Sequence, residues 1–225
     1  SQLVLLESDF SRMPNVVAEG RQVVNNLERS GSLFLVKNIF SLFMALISII
    51  FSISYPLAPA QISLISVFTI GFPAFFLSQV PNTKLIKGHF LSNIMLKALP
   101  AALTDTFIVS ALLIFGQAFA VSSDDISVAA TLLLAIVGFM ILYSISKPMD
   151  WMKWLIFVIS VAGLFIAMIF FPQVFAISGI SSRCLMLLIL FSIATEPCLR
   201  YLTLLVKKLR NLYLQKHHRE SEFIS

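Results

Sequence analysis

The chain has 225 residues, of which 58% are hydrophobic and only 12% are charged, and its mean hydropathy is +0.93. Because soluble globular domains usually carry about 25% charged residues, these values exclude an ordinary soluble domain. The net charge of +5 comes from short basic clusters between apolar spans, a pattern typical of membrane orientation and not of nucleic acid binding. The sequence therefore predicts an all-α integral membrane protein whose partner is membrane lipid, with no nucleic acid partner.

The first thirty residues are polar and mixed in charge, and we expect them to lie outside the membrane. A short apolar run, Leu3 to Leu6, precedes Ser8, Asp9 and Ser11, whose side chains suit a turn and a helix cap. A helix is predicted from about Pro14, and no loop or further proline separates it from the next apolar span. Residues 1–30 are thus predicted to form a short N-terminal cytoplasmic stalk.

Six apolar spans follow, at about residues 32–54, 60–80, 94–118, 126–146, 152–171 and 181–204. Each is close to the ~20 residues that cross ~30 Å of hydrocarbon. Six crossings place both ends on one side, which the positive-inside rule identifies as the cytoplasm. The basic residues on that side are Lys84, Lys87, Lys97, Lys147, Lys153, Lys207, Lys208, Arg210, Lys216 and Arg219, against Arg183 on the other. The prediction is a six-transmembrane-helix bundle over residues 31–206 and a basic cytoplasmic tail over 207–225.

The second span, Gln61 to Asn82, contains Gly71 and Pro73 near its middle. In hydrocarbon every backbone N–H and C=O must be paired internally, so a helix break is tolerated only where other helices or a polar cavity satisfy the freed groups. Ser66, Thr69 and Pro73 share one face of a helix. We expect a segment that is unwound at the glycine and proline, with the hydroxyl groups lining an ion path.

Polar residues also occur in the first span, at Lys37, Asn38 and Ser41. In one interpretation Lys37 reaches the cytoplasmic interface and Asn38 bonds a neighbouring helix. In the other, Asn38 and Ser41 lie opposite Ser66 and Thr69, and together they offer neutral oxygen ligands to a hard cation. Both interpretations stay open at the level of sequence.

Asp105 is the carboxylate placed deepest in the predicted membrane region, between Thr104 and Thr106 of the third span. A structural interpretation has the acid hydrogen-bonded to these threonines or paired with Lys97. A functional one makes it a proton or cation ligand that faces the bundle, since ionisable groups at this depth are costly.

Charged residues near the end of the chain are expected to be structural. Glu196 and Arg200 have the i, i+4 spacing of a salt bridge. His217 and His218 are adjacent and share no helix face, so a tail that faces solvent or lipid headgroups is favoured over a metal site.

Three stretches resemble a known family. The first matches at Leu5, Leu6, Asp9, Phe10, Val17, Glu19, Gly20, Arg21 and Asn26. It resembles the end of the phosphorylation domain and the stalk of P-type (E1-E2) cation-transporting ATPases. Thr69-Ile70-Gly71-Phe72-Pro73-Ala74 is similar to the T-D-G-x-P-A motif in the sixth helix of calcium pumps. Lys37-Asn38-Ile39 is similar to a K-N-I segment in the fifth helix of proton/potassium pumps.

The resemblance implies that the six spans are helices five to ten of such a pump. The residues assigned to the ion pathway are Asn38, Ser41, Ser66, Thr69, Gly71, Pro73 and Asp105, with Lys37 as a counter-charge. Two departures stand out, because Ile70 replaces the sixth-helix aspartate and Ser41 falls at the acidic position of the fifth helix. The T-I-G-x-P form is typical of a bacterial branch that includes calcium exporters, so calcium is the expected ion.

The resemblance also implies partners beyond this chain. The sequence has no D-K-T-G phosphorylation loop, so no cofactor is expected here, whereas the parent pump would use ATP and magnesium. The expected partners are the transported cation, the actuator, nucleotide and phosphorylation domains and helices one to four, in the plasma membrane. The alternative is a non-catalytic six-helix membrane protein, a transporter half or an assembly partner, in which residues 1–30 form a cytoplasmic amphipathic helix.

Overall fold

A computed structural model describes residues 10–82, 84–86 and 89–222, and it leaves the side chains of residues 213, 214 and 216–222 out of the description. Several predicted features therefore lie outside the described residues. These are the run Leu3 to Leu6, the cap residues Ser8 and Asp9, Lys87, and the side chains of His217 and His218.

The described chain is helical throughout its spans. Its elements are a 3-10 turn (Phe10–Arg12), α1 (Met13–Phe51), α2 (Pro59–Ile65), a π-helical segment (Ser66–Gly71), α3 (Phe72–Ser78), α4 (Phe90–Ala118), α5 (Ser123–Ser146), α6 (Trp151–Phe170) and α7 (Ser182–Glu222). The α2 helix, the π-helical segment and α3 follow one another directly and form the second span. Within the described residues, six helical stretches are long and apolar enough to cross a membrane, so the predicted all-α six-helix membrane bundle is confirmed.

The stalk and the first span form one continuous helix, as predicted. Pro14 stands in the first turn of α1, where its missing N–H leaves no intrahelical bond unmade. The helix ends where Ser52 adopts a left-handed conformation with φ of 53°. Its 39 residues correspond to about 58 Å, roughly twice the thickness of the hydrocarbon. The α1 helix can therefore transmit movement from outside the membrane to its centre.

The centre of the bundle is formed by α4 and α5. In the apolar 18-residue stretch of each helix, 61% of the residues are buried, whereas the corresponding share is 22% in the first and last spans. The α4 helix packs against α1, α5 and α7, and the fully buried Ala98, Ala101 and Ala102 allow the neighbouring backbones to approach closely. The α1 and α7 helices thus lie at the periphery of the described bundle.

Gln61 ties the start of the second span to two other parts of the bundle. Its side-chain oxygen accepts hydrogen bonds from the Ala58 N–H (3.0 Å) and the Ser127 hydroxyl (2.6 Å), and its amide donates to the Ala176 carbonyl (3.0 Å). The side chain is fully buried, so each of these bonds replaces water that cannot reach it. The sequence interpretation did not single out this residue.

The other end of the second span is attached to the stalk. Asn25, Asn26 and Arg29 of α1 donate hydrogen bonds of 2.9 to 3.3 Å to the carbonyl oxygens of residues 77, 78, 82 and 84. Glu28 in the same turn forms an ion pair with Lys97 of α4 at 2.6 Å. A displacement of the stalk will therefore pull on both the second span and α4.

Candidate functional site

The middle of the second span is a π-helical turn, so the expectation of an unwound segment at Gly71 and Pro73 is wrong. The Phe72 N–H donates to the Val67 carbonyl, five residues back, which is the π pattern. Pro73 has no N–H for the usual bond to the carbonyl four residues before it. The backbone accommodates the missing bond by widening one turn, and it stays helical on both sides.

The hydroxyl groups of the π-helical segment face the protein. Thr69 is 2% exposed, and its Oγ1 donates to the Ile65 carbonyl at 2.8 Å. Ser66, which is half-buried, donates to the Ile62 carbonyl at 2.6 Å. Because each hydroxyl uses its hydrogen inside its own helix, its oxygen lone pairs remain available to an incoming ligand.

A cavity of about 40 Å³ lies between α1, the second span, α4 and α5. Its polar lining consists of Lys37, Ser41, Ser66, Thr69 and Asp105. Its apolar lining consists of Leu33, Val36, Phe40, Leu57, Ile62, Ile65, Ile70, Leu134, Gly138 and Ile141. The volume is enough for a few water molecules or a bare cation. The structure thus brings together five of the eight side chains that the sequence analysis assigned to the pathway or to its counter-charge.

Asp105 is buried without the partners that the structural interpretation gave it. The hydroxyls of Thr104 and Thr106 donate to the carbonyls of Pro100 and Ala102, each at 2.8 Å, and Lys97 pairs with Glu28 instead. Asp105 is only 4% exposed, and its Oδ1 has no hydrogen-bond partner among the described residues. The expected bonds to the threonines and to Lys97 are therefore wrong, because threonine hydroxyls in a helix bond the carbonyl four residues back.

Lys37 and Asn38 lie on different sides of α1. Lys37 is half-buried and lines the cavity that also contains Asp105, so it is the first-span cation nearest to the candidate site. Asn38 is exposed and does not line the cavity, so the placement of Asn38 opposite Ser66 and Thr69 is wrong. Adjacent helical residues are about 100° apart, so Lys37 can line the cavity while Asn38 points away from it. Whether Asn38 takes part in ion movement stays a prediction.

Gly71 and Pro73 shape the site without lining it. Pro73 is buried and Gly71 is exposed, and neither contributes to the wall of the cavity. Their assigned place in the ion pathway stays a prediction, and what the structure adds is the widened turn, which ends at Gly71 and precedes Pro73.

Two glycines that the sequence analysis did not single out fit against the π-helical segment. A Cβ atom at Gly138 of α5 would lie 2.9 Å from the Thr69 Cβ, and one at Gly163 of α6 would lie 2.5 Å from the Phe68 ring. Real Cβ atoms do not approach so closely, so both positions require glycine for the observed packing. A glycine within an apolar span was the available signal, but its partner cannot be inferred from sequence.

The predicted ion pair between Glu196 and Arg200 is not formed. Both side chains are exposed, and neither joins an ion pair in the part of the chain that the structure describes. An exposed pair of this kind gains little, because ordering two long side chains costs about as much as their attraction in water. Within the described residues there is also no group of three or more His, Cys, Asp and Glu side chains that could hold a metal ion.

The chain is similar in sequence to bacterial cation pumps. It is 36% identical over 190 residues to a probable cation-transporting ATPase, exp7, of Streptococcus pneumoniae, a match over 81% of this chain and 24% of that protein. It is 33% identical over 184 residues to the calcium-transporting ATPase CtpE of Mycolicibacterium smegmatis and 32% identical to CtpE of Mycobacterium bovis, each over 76% of this chain and 23% of the relative.

The chain spans about a quarter of the length of the curated relatives it matches. No family model and no solved structure matches it. The similarity favours a pump over the alternative of a non-catalytic six-helix membrane protein. Together with the six apolar helices, it confirms the family recognised from the sequence: the chain is a membrane-spanning portion of a P-type cation-transporting ATPase.

Proposed function

We propose that this chain forms the ion pathway of a P-type pump that moves calcium across the plasma membrane, with both termini in the cytoplasm. The observation that carries the proposal is the cavity at the π-helical segment, where the oxygen-bearing side chains of Ser41, Ser66, Thr69 and Asp105 meet within a lining that is otherwise apolar except for Lys37. The relatives named calcium-transporting ATPase support calcium as the ion.

The chemistry of this cavity suits a hard cation. Calcium is bound in proteins by oxygen ligands, and the cavity offers three hydroxyl oxygens and one carboxylate. The π-helical turn also interrupts the regular pairing of the second span, and such turns frequently occur at functional sites. In our proposal Asp105 supplies the negative charge that neither Ile70 nor Ser41 supplies.

Lys37 is the positively charged side chain of the cavity lining. Lys37 and Asp105 line the same cavity and form no ion pair in the part of the chain that the structure describes. A lone carboxylate in the membrane is costly, so the counter-charge role proposed for Lys37 requires its flexible side chain to approach Asp105 while the ion is absent. When calcium enters, repulsion moves Lys37 away from Asp105. Asn38, on the exposed side of α1, is proposed to face the helices of the pump that this chain does not contain.

The connections of α1 provide a route from the ATP-driven domains to this cavity. The stalk continues into the first span, and its side chains hold the end of the second span and α4. The proposed cycle of phosphorylation in the rest of the pump, which would use ATP and magnesium, moves the stalk. The walls of the cavity then shift together and open it to one side of the membrane or the other.

Replacing Thr69 by valine in the whole pump tests the proposal. The change keeps the shape and removes one oxygen ligand, so we expect calcium-stimulated ATP hydrolysis to need at least about tenfold more calcium. The control is Thr131→Val, since Thr131 is equally buried and its hydroxyl makes the same type of bond (2.9 Å to the Ser127 carbonyl) away from the cavity.

The two variants are assayed in vesicles at a constant concentration of magnesium and ATP, with calcium or manganese added separately. Calcium dependence in Thr69→Val that equals that of Thr131→Val would remove Thr69 from the site. A wild-type pump that responds to another cation and not to calcium would refute the assignment of the ion.

A further inference from the structure

A second pocket, of about 280 Å³, lies at the other end of the bundle from the α1–α2 loop, where the stalk, the loop after the second span and the turn between α5 and α6 meet. Five basic side chains line it, namely Arg29, Lys84, Lys97, Lys147 and Lys153. Its acidic residues are Glu28 and Asp150. We refer to it as the basic pocket.

The basic pocket has a surplus of positive charge. Lys97 pairs with Glu28 at 2.6 Å and Lys153 with Asp150 at 2.8 Å, so both carboxylates are already engaged. Arg29 donates to a neutral carbonyl oxygen, and Lys147 lies 4.6 Å from the centre of the Tyr143 ring. Arg29, Lys84 and Lys147 thus have no carboxylate partner among the described residues, which leaves about three positive charges for an anion.

An apolar groove lies next to this pocket, on the side of Tyr143. The groove, of about 600 Å³, lies between α5, α6 and α7 and extends from Leu132 to Tyr143 along α5. Tyr143 lines one end of the groove, and the Lys147 ammonium group of the basic pocket lies 4.6 Å from the centre of the Tyr143 ring. A third pocket of about 370 Å³ shares Met140 with the groove and Lys97 with the basic pocket, so it lies beside both of them.

The position and length of this path fit a lipid. Tyr143 and the exposed Trp151 and Trp154 surround the junction, and such rings are typical of the membrane–water interface. Twelve residues of α5 correspond to about 17 Å, close to one leaflet of the ~30 Å hydrocarbon. A charged end at the interface and an apolar track one leaflet deep are complementary to a single phospholipid molecule.

We propose that the basic pocket and the apolar groove bind one anionic phospholipid. Its phosphate lies between Arg29, Lys84 and Lys147, and one acyl chain lies along α5. Basic pockets between helices at the membrane–water interface are suited to anionic lipid headgroups. Because the stalk contributes Arg29, the bound lipid would hold the stalk against the turn between α5 and α6.

The test measures phosphatidylglycerol binding to the delipidated whole pump by native mass spectrometry. Each lysine near the headgroup contributes about 1 kcal/mol, so the variant Lys84→Gln/Lys147→Gln should bind about 30-fold more weakly. The matched control is Arg200→Gln/Lys208→Gln, which loses the same charge from exposed positions outside the pocket and the groove. The control should change binding less than threefold.

Three outcomes would overturn the proposal. Equal weakening in both double variants would indicate diffuse attraction to the basic surface. Equal binding of phosphatidylcholine with the same acyl chains would remove the role of the basic pocket. Displacement by millimolar inorganic phosphate would show a headgroup site with no contribution from the groove. None of these readouts depends on ion transport, so the lipid site and the proposed ion pathway can fail separately.

Discussion

Substituting Asp105 by asparagine is expected to leave the protein at least as stable as the wild type and to remove most of its cation transport. The carboxylate is buried, and its Oδ1 has no hydrogen-bond partner among the described residues. Such a group is costly at membrane depth, where insertion of a charged side chain costs about 2.5 to 3.5 kcal/mol. Asparagine has nearly the same shape without the charge, so the free energy of unfolding should stay constant or rise by about 1 kcal/mol.

The transport effect should be large, because in our proposal Asp105 is the one carboxylate of the cavity. We expect calcium uptake into vesicles to require at least about 100-fold more calcium, which corresponds to about 2.7 kcal/mol. Asp124→Asn makes the same chemical change at an exposed position and serves as the control. If Asp105→Asn destabilises the protein and leaves calcium uptake unchanged, the carboxylate is structural and the proposed site loses its charge.

Replacing Gly138 of α5 by alanine should disrupt the same site, because Gly138 packs directly against Thr69. The added Cβ would lie 2.9 Å from the Thr69 Cβ and 3.2 Å from its Oγ1. The nearest atom belongs to the rigid base of a β-branched side chain, so α5 or the π-helical segment must move. Overpacking of this kind typically costs about 1 to 3 kcal/mol. The displaced Thr69 hydroxyl would also leave the cavity wall, and we expect calcium-stimulated ATP hydrolysis to fall at least about tenfold.

The measurement combines thermal unfolding in detergent with ATP hydrolysis by the whole pump. Gly20→Ala is the control for unfolding, since nothing lies within 4 Å of a Cβ at that helical position and alanine favours a helix by up to about 1 kcal/mol over glycine. An unfolding temperature for Gly138→Ala equal to or above that of Gly20→Ala would show that α5 and the second span are not in close contact.

The architecture could be predicted from the sequence because the physical constraints on it are local. Apolar runs of membrane length determine the six spans, and the proline at the start of α1 marks the helix boundary. The Ser122 hydroxyl accepts a hydrogen bond from the Asp125 N–H at the start of α5, which is ordinary cap chemistry. None of these features depends on a distant part of the chain.

The candidate site could be predicted only in part, because it depends on which faces meet. The i, i+3 spacing correctly placed Ser66 and Thr69 together, but Lys37 and Asn38 are adjacent polar residues in a mostly apolar span, so the pattern does not distinguish which of the two faces inward. Likewise, Pro73 indicates a missing hydrogen bond, but it does not reveal that the widened turn packs closely against Gly138 and Gly163 of two other helices. The role of Gln61 could not be predicted for the same reason, since its partners Ser127 and Ala176 lie 66 and 115 residues further along the chain.

The central claim, that a cation enters the cavity beside the π-helical segment, can be tested most directly by the reactivity of a cysteine placed in its wall. In the whole pump, with Cys184 and Cys198 replaced by alanine, Thr69→Cys is treated with a small water-soluble thiol reagent, once without calcium and once with calcium at a concentration that saturates the ATP hydrolysis of this variant. Val67→Cys, from an exposed position of the same segment, is the control. Our account predicts that the cysteine at position 69 reacts when calcium is absent and is protected when calcium is bound, while calcium has no effect at position 67. A cysteine at position 69 that is unreactive under both conditions, or equally reactive under both, would contradict it.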